Sequence, residues 1–191
     1  LDLLARQQNL STTFESLNIG LPDSTVVQGP NRVIAPETMR AVVTATRQGR
    51  QLRASYASLS RPEAVESILE PHTLVCAGDS WHLRAWCDSN REFRDFALSR
   101  FRTSPEALRQ RARHTRDQDE HWNRQVTLVV TPDQRLTQAQ QEIIARDYGM
   151  EHGRLEVATR AALAPYVLSR LGITFDNQHP DPLVQQLELA N

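Results

Sequence analysis

The sequence contains no lysine: all 22 basic residues among its 191 are arginine. This absence excludes a P-loop nucleotide site, which needs a lysine on the phosphates, and a pyridoxal enzyme, which needs one for its Schiff base. A protein kinase would lack its phosphate-pairing lysine in the same way. A GC-rich genome would produce the same bias toward arginine codons, but these chemistries stay excluded whatever its origin.

Cysteines and long apolar runs are also scarce. Cys76 and Cys87 are too few for a disulfide framework and fit a reducing compartment, so we expect a cytoplasmic protein. No apolar run approaches the roughly 18 residues of a membrane span, and no signal-peptide pattern is present. Because the sequence begins at Leu1 rather than methionine, we expect a fragment whose N-terminal portion is missing.

Catalytic and metal-binding motifs are missing as well. The seven glycines are dispersed, and the patterns GxSxG, HExxH, GxGxxG and CxxC do not occur. Neighbouring strands could bring together His72, Cys76, His82 and Cys87, but their spacings match no zinc signature. We therefore expect no metal, no cofactor and no enzymatic activity, with a small hydrolase using His82 as its base kept as an alternative.

The formal net charge is −1, but the charges are segregated along the chain. Residues 38–62 carry five arginines and no acid, and residues 63–83 carry four acids and no arginine. Residues 84–124 carry ten arginines against seven acids, whereas residues 125–191 carry five against eight. Such blocks usually form a solvated surface. Here two arginine-rich blocks flank a strand-like stretch, so an anion-binding site is an equally good interpretation.

The first half of the sequence changes its apolar period from that of a helix to that of strands. Glycine and proline punctuate residues 1–36, which predicts a linker. A short amphipathic helix is predicted from Pro36 to a stop at Gly49. Alternating residues then predict short strands around positions 52–56, 68–77, 81–87 and 93–98. About five strands after one helix favour a small β-barrel of the SH3 or Sm type.

The second half predicts a small α/β sandwich, so the whole chain is assigned to the α+β class. Residues 102–124 form a polar, arginine-rich connection with a helix expected to open at Pro105. A strand follows at residues 126–130, and Thr137 with Gln140 three residues later predicts a capping-box helix ended by Gly149. A second strand is predicted at 155–157 and a further helix at 163–171. The resulting order is β-α-β-α.

Arginines near the end of the barrel region are candidate ligands for an anion. If the strand runs from Phe93 to Leu98 and beyond, alternation places Arg94 and Arg100 on one face. Burying that face requires anionic partners, either a bound ligand or carboxylates of the chain. The candidate carboxylates are Glu66, Glu70 and Glu92.

Aromatic residues near these arginines could stack on nucleic-acid bases. Tyr56, Trp81 and Phe93 are the candidates, although Trp81 equally fits a position in the core. His82 and Arg84 share a strand face by alternation and form a plausible polar pair. Guanidinium groups match phosphates through two parallel hydrogen bonds, so the sequence favours a phosphate-bearing ligand.

These residues resemble the WYL domain, which is named for a Trp-Tyr-Leu triplet that reads Trp81-His82-Leu83 in this chain. The spacing from Tyr56-Ala57-Ser58 through Glu70-Pro71-His72 to Phe93-Arg94-Asp95-Phe96 looks like one subgroup. That subgroup is the dimeric WYL-type transcriptional repressors of bacterial anti-phage defence operons. Residues 125–171, with Asp147-Tyr148-Gly149-Met150, are similar to the C-terminal extension called WCX.

The resemblance implies three parts. A winged helix-turn-helix that binds operator DNA would precede the linker at 1–36, residues 37–121 would form an Sm-like barrel, and 122–191 a WCX dimerisation extension. The barrel would bind a nucleic-acid or nucleotide ligand. Carried over position by position, the ligand-binding residues would be Tyr56, Ser58, His72, Trp81, His82, Arg84, Arg94 and Arg100.

One departure from the family bears on the ligand. The family usually has an arginine a few residues before Pro71-His72, where this chain has Glu66 and Glu70. Our first hypothesis is the ligand-sensing part of a homodimeric repressor, in which the ligand shifts the dimer between DNA-competent and released forms. The alternative is a stand-alone accessory protein that binds single-stranded nucleic acid and has no role in transcription. Neither hypothesis involves a membrane.

Overall fold

Alternating apolar residues form one antiparallel sheet in the computed structural model, which describes residues 32–174 and 178–190. The five strands are β1 (Arg50–Tyr56), β2 (Val65–Ala77), β3 (Ser80–Cys87), β4 (Glu92–Ala97) and β5 (Glu106–Arg111). Their order across the sheet is β4-β3-β2-β1-β5, and each neighbouring pair is antiparallel. The predicted linker lies mainly in residues 1–31, outside the described part of the chain.

Helix α1 (Pro36–Gln48) confirms the predicted helix at both ends. Proline lies in its first turn, where the missing N–H costs no hydrogen bond, and Gly49 ends it with a φ of 58°. Val42 and Ala45 are fully buried and pack against the sheet. The helix therefore covers one side of the strands that follow it.

The predicted barrel of the SH3 or Sm type is confirmed only as a five-stranded antiparallel sheet, because β4 and β5 each pair with a single neighbour in the described residues and no pairing between them closes a barrel. After β4 the chain makes a short 3-10 helix, Leu98–Arg100, and then crosses to the far side of β1. Phe101 pairs there with Tyr56, and β5 extends the pairing along β1. In the described residues no strand joins the two edges.

The expected helix after Pro105 is wrong, since this segment forms β5. Ala107 pairs with Leu52, and Glu106 pairs with Arg53. The sequence Glu-Ala-Leu-Arg has a good local helix propensity, but the open edge of β1 supplies backbone partners that outweigh it.

The two sides of the sheet differ in chemistry, and we name them the apolar face and the polar face. The apolar face carries Leu52, Leu69 and Leu83, all fully buried beneath α1. The polar face carries Glu70 and Arg84, and it is covered by the connection that follows β5. Both charged residues are almost completely buried.

The prediction that Arg94 and Arg100 share one strand face is wrong. Strand β4 ends at Ala97, and Arg100 lies in the 3-10 helix that follows. The two-residue period of a strand does not continue through a 3-10 turn, so the alternation argument fails there.

The second half forms a three-stranded antiparallel sheet with two longer helices, as the β-α-β-α prediction requires. Its elements are α2 (Glu120–Asn123), β6 (Gln125–Pro132), α3 (Gln138–Asp147), β7 (Leu155–Arg160), α4 (Ala164–Arg170) and β8 (Leu187–Leu189). The strand order is β7-β6-β8. Thr137 and Gln140 form the predicted capping box. Strand β8 was not predicted, because three residues are too short to show alternation.

A buried carboxylate holds the C-terminal segment against this second sheet. Asp133 is fully buried and accepts hydrogen bonds from the Arg135 backbone and guanidinium and from Gln178. Arg135 also donates to the carbonyl groups of His179 and Pro180. No helix in the described residues is long and apolar enough to cross a membrane.

Candidate functional site

A buried arginine forms the centre of the polar face. Arg84 lies on β3, and only 7% of its side chain is exposed. Its Nε donates to Asp119 Oδ2 at 2.7 Å and its Nη2 donates to Asp119 Oδ1 at 3.0 Å, a bidentate pair. Its Nη1 donates to Asp95 Oδ1 at 3.4 Å across the β3–β4 pairing. Two carboxylates thus share one guanidinium.

Asp119 joins this arginine to the start of the second half of the chain. It is the N-cap of α2, and its Oδ1 accepts a hydrogen bond from the Trp122 backbone N–H at 3.1 Å. Burial by itself would raise the pKa of this carboxyl, but the hydrogen bonds from Arg84 and Trp122 hold it below its usual value. The network therefore contains a charged pair rather than a protonated acid.

His72 completes the network from a bulge in β2. The register of β2 against β3 shifts between Pro71 and Thr73, and the His72 Nε2 lies 3.1 Å from Asp119 Oδ2. Its Nδ1 lies 2.8 Å from the Thr73 hydroxyl. A neutral ring satisfies both contacts when Nε2–H donates to the carboxylate and Nδ1 accepts from the hydroxyl. Burial lowers the pKa of His72, and the opposing effect of Asp119 is smaller, which agrees with that tautomer.

Glu70 fastens the connection to the same face by a second set of bonds. Its carboxylate accepts from Gln51 Nε2 at 2.7 Å, from the backbone N–H groups of Arg113 and His114, and from His114 Nδ1 at 2.8 Å. Burial would raise its pKa, but these hydrogen bonds together lower it. The suggestion that Glu70 pairs with Arg94 or Arg100 is therefore wrong, because its oxygen atoms are occupied by the connection.

The second half touches the polar face through Tyr166 of α4. Its ring lies 4.9 Å from the ring of His82, and the Asp95 carboxylate lies near its hydroxyl. Burial and the Asp95 charge raise the pKa of Tyr166 above its ordinary value. Asp95 therefore contacts both Arg84 and Tyr166, so one carboxylate links the central arginine to the second half.

Four predicted ligand residues lie at one end of the sheet, and we name them the rim cluster: Tyr56, Ser58, His82 and Arg100. The Tyr56 hydroxyl accepts from the backbone N–H of Ala97 at 3.1 Å, and Ala97 pairs with His82. The Arg100 carbonyl accepts from the N–H of the residue between Tyr56 and Ser58 at 3.3 Å. Burial lowers the pKa of His82, and the charge of Arg100 contributes to this lowering.

The other predicted ligand residues lie elsewhere. Arg84 and His72 are inside the buried network, and Trp81 is partly buried against the apolar core. Arg94 is exposed and forms an ion pair with Glu92, which confirms the carboxylate alternative for that residue. The eight residues are thus divided between both faces and the rim.

Sequence reasoning missed three residues of this region, namely His114, Asp119 and Tyr166. None belongs to a recognisable motif. Asp119 stands immediately before a helix, and an aspartate in that position is a signal for an N-cap. Nothing in the local sequence indicates that the same carboxylate binds an arginine 35 positions earlier.

One group of potential metal ligands occurs in the described residues. Ligand atoms of Glu70, Asp88 and His114 lie within 4.8 Å of one another. The Glu70 carboxylate already accepts four hydrogen bonds, so protein donors account for its position. In the part of the chain that the structure describes, His72, Cys76, His82 and Cys87 form no such group.

Comparisons with known proteins identify two regions. Residues 37–104 match the WYL domain, and residues 125–191 match the BrxR transcriptional regulator, C-terminal dimerization domain. The chain is 37% identical over 160 residues to the DNA-binding transcriptional repressor CapW of Pseudomonas aeruginosa, covering 84% of this chain and 53% of the relative. The CapW repressor of Stenotrophomonas maltophilia is 36% identical over 152 residues, covering 80% and 50%. The chain therefore spans about half the length of these relatives.

A solved structure of proteasome accessory factor B/C (PafBC) of Arthrobacter aurescens is also similar, at 22% identity. The match covers 84% of this chain and 25% of that one, with a TM-score of 0.38. This similarity is too low to support a conclusion about fold or function.

Proposed function

Because this chain joins a WYL domain to a BrxR C-terminal dimerization domain, we propose that it is the ligand-sensing and dimerising part of a transcriptional repressor. The observation that carries this proposal is the order of the two domains, combined with relatives named as DNA-binding repressors that match across both. The sensing part would extend over residues 37–121 and the dimerising part over 122–191. Operator DNA would be bound by a domain upstream of the linker.

We propose the rim cluster as the place where an anionic ligand, a nucleotide or an oligonucleotide, enters. In the described residues the Arg100 guanidinium has no carboxylate partner, which leaves its donors available for a phosphate. Tyr56 and His82 lie at the same end of the sheet, where the Tyr56 ring packs edge-on against Phe96 and Phe101, and we propose that the exposed part of this ring and the imidazole of His82 complete the site. Where the family usually has an arginine before Pro71-His72, this chain has Glu66 and Glu70. This difference has little effect on the proposed site, because the Glu70 carboxylate accepts hydrogen bonds from the connection.

The buried network gives the ligand a route to the second half of the chain. The bond from Arg84 to Asp95 is the longest in the network, at 3.4 Å, and the Asp95 carboxylate also lies near Tyr166. A phosphate at the rim would compete with Asp95 for the guanidinium of Arg84. The contacts of Asp95 would then change. Such a ligand shifts the repressor between two states only if it binds one of them more tightly.

Binding of labelled oligonucleotides tests the rim cluster directly. Fluorescence anisotropy with a single-stranded oligonucleotide, and competition with cyclic nucleotides, would compare Arg100→Gln with Arg94→Gln. Loss of a charged hydrogen-bond donor is worth about 1.5–3 kcal/mol, so Arg100→Gln should weaken binding about tenfold or more. Arg94→Gln removes the same charge from an exposed ion pair and should change affinity less than about twofold. Equal weakening by both variants would contradict the assignment.

The repressor and the accessory-protein hypotheses differ in what the ligand does to operator binding. With the complete gene product, a repressor changes its occupancy of operator DNA when the oligonucleotide is added, and a reporter gene responds. Ligand binding that leaves operator occupancy and reporter expression unchanged would favour the accessory protein.

A further inference from the structure

Four arginines meet where α1 ends and β1 pairs with β5, and we name them the edge patch: Arg47, Arg50, Arg109 and Arg111. Arg50 and Arg111 are direct partners in the antiparallel pairing. Arg109 lies two residues before Arg111 on β5, in the stretch where the register against β1 shifts. The Arg111 Nη1 donates to the carbonyl of Gln48 at 3.4 Å, which brings its guanidinium next to the last turn of α1.

The fold does not neutralise this positive charge. Arg47, Arg109 and Arg111 are exposed, Arg50 is half-buried, and within residues 32–174 and 178–190 none of them has a carboxylate partner. The nearest carboxylate on β5, Glu106, binds Arg53. Like charges directly opposite each other destabilise a strand pair. The carbonyl end of α1 compensates Arg111 in part, whereas Arg47 and Arg109 are exposed to water.

The composition around the patch indicates which kind of anion it suits. Neither the segment 46–52 nor the segment 107–113 contains an aromatic residue. Proteins that bind single strands rely on aromatic side chains for base stacking, whereas binding to the duplex backbone needs only cationic and polar groups. The patch therefore fits a sugar-phosphate backbone rather than bases.

We propose that the edge patch binds the phosphate backbone of duplex DNA. The inference rests on the proposed function, in which a domain upstream of α1 holds operator DNA. A helix of 13 residues is about 20 Å long, so the patch lies about that far from the first residue of α1. Because each guanidinium that contacts a phosphate releases counterions from the DNA, such binding should depend strongly on salt.

Salt-dependent binding to a labelled duplex of arbitrary sequence tests the patch in this 191-residue chain. The test variant is Arg50→Gln/Arg109→Gln/Arg111→Gln. The matched control is Arg146→Gln/Arg154→Gln/Arg170→Gln, which removes the same number of exposed charges from the second half. The slope of log affinity against log salt should fall by about 0.9 for each lost phosphate contact, hence by about 2–3 in the test variant. Its affinity at low salt should fall at least about tenfold, and the control should stay within about twofold.

A second variant guards against misfolding, because Arg111 also bonds to the end of α1. Arg50→Gln/Arg109→Gln leaves that bond intact and should reduce the slope by about 2 with an unchanged thermal midpoint. The proposal is overturned if the unmodified chain fails to bind duplex DNA at low salt, if the test and control variants weaken equally, or if duplex RNA binds more tightly than DNA.

Failure of this inference can be separated from failure of the proposed function. Titration of the edge-patch variants with the single-stranded oligonucleotide monitors the rim cluster independently. Loss of duplex binding with normal oligonucleotide binding supports the edge patch. Normal duplex binding in the edge-patch variants overturns the proposal that the edge patch binds DNA. Binding of the oligonucleotide at the rim cluster would still support the sensing function in that case.

Discussion

The two faces of the five-stranded sheet bury residues equally deeply but with opposite chemistry. On the apolar face Leu69 and Leu83 are fully buried against α1, which precedes the sheet directly in the sequence. On the polar face Glu70 is 1% exposed and Arg84 is 6% exposed, and their partners come from the connection after β5. On one side, the strands make apolar contacts with a helix that is adjacent in the sequence. On the other side, they make ionic contacts with a segment that follows the whole sheet in the sequence.

This difference determines what each face can contribute. Burial of apolar area is non-directional and tolerates replacement by side chains of similar volume. A buried ion pair repays its desolvation only when the geometry is good and every donor is satisfied, so it constrains the position of both partners. The apolar face stabilises the sheet, and the polar face specifies where the connection and the second half begin.

Removing the carboxylate of Asp119 should cause the largest loss in the free energy of unfolding. Asp119→Ala leaves the Arg84 guanidinium buried with only the long bond to Asp95, and it removes the N-cap of α2. Breaking a buried pair by removing one partner costs about 3–5 kcal/mol, which urea unfolding followed by circular dichroism would measure. The double variant Arg84→Met/Asp119→Leu removes both charges and should be closer to the unmodified protein. A loss below about 1 kcal/mol in the single variant would show that the network is not a tightly buried pair.

Truncating a side chain on the apolar face should lower the free energy of unfolding somewhat less than removing Asp119 does. Leu83→Ala creates a cavity under α1 and should lower the free energy of unfolding by about 3 kcal/mol in the same assay. Leu83→Met keeps the volume and should cost less than about 1.5 kcal/mol. In a Trp81→Phe/Trp86→Phe background, where Trp122 is the remaining tryptophan, Leu83→Ala should leave the native fluorescence unchanged, because Leu83 lies on the opposite face from the connection. A changed native spectrum would contradict the separation of the two faces.

Acidification should cause the smallest loss of stability, and this loss should come from protonation of histidines on the polar face. The pKa values of His72 and His82 are both lowered by burial, so the unfolded chain binds more protons than the folded one at mildly acidic pH. Stability is therefore complete above the unfolded pKa of about 6.5 and is lost as the pH falls through the folded values. Thermal midpoints between about pH 8 and pH 5 would show this decline.

A matched pair of variants assigns the decline to its source. His72→Asn keeps a donor toward Asp119 but cannot be protonated, so it should flatten the pH dependence. His121→Asn changes an exposed histidine and should leave the profile unaltered. An unchanged profile in His72→Asn would show that other groups cause the acid sensitivity.

Local signals were sufficient to predict most of the elements. Proline and glycine marked both ends of α1, alternation marked β1 and β3, and the Thr137 capping box marked α3. Strand β5 was mispredicted because its stabilising partner is β1, about fifty positions earlier, and not its own sequence. The five-stranded antiparallel sheet of the predicted barrel was confirmed, whereas closure into an Sm- or SH3-type barrel stays a prediction, since strand pairing at the edges depends on tertiary contacts.

The candidate site was predicted only in part, and the reason is again distance along the chain. The residues Tyr56, Ser58, His82 and Arg100 lie close together as the resemblance implies, although their role in binding stays a prediction. Alternation failed for Arg100 because a 3-10 turn interrupts the strand. The partners of Arg84 and Glu70 could not be predicted, since a carboxylate shows no sequence signal for an arginine 35 residues away.

The place of Asp119 in the sequence also has a consequence for the order of folding. All five strands lie between residues 50 and 111, so the ribosome releases the whole sheet before it releases this carboxylate. Until then the polar face is uncovered, and the guanidinium of Arg84 is hydrated beside Asp95. We therefore expect the sheet to form on its apolar face first and the burial of Arg84 to follow when the connection arrives.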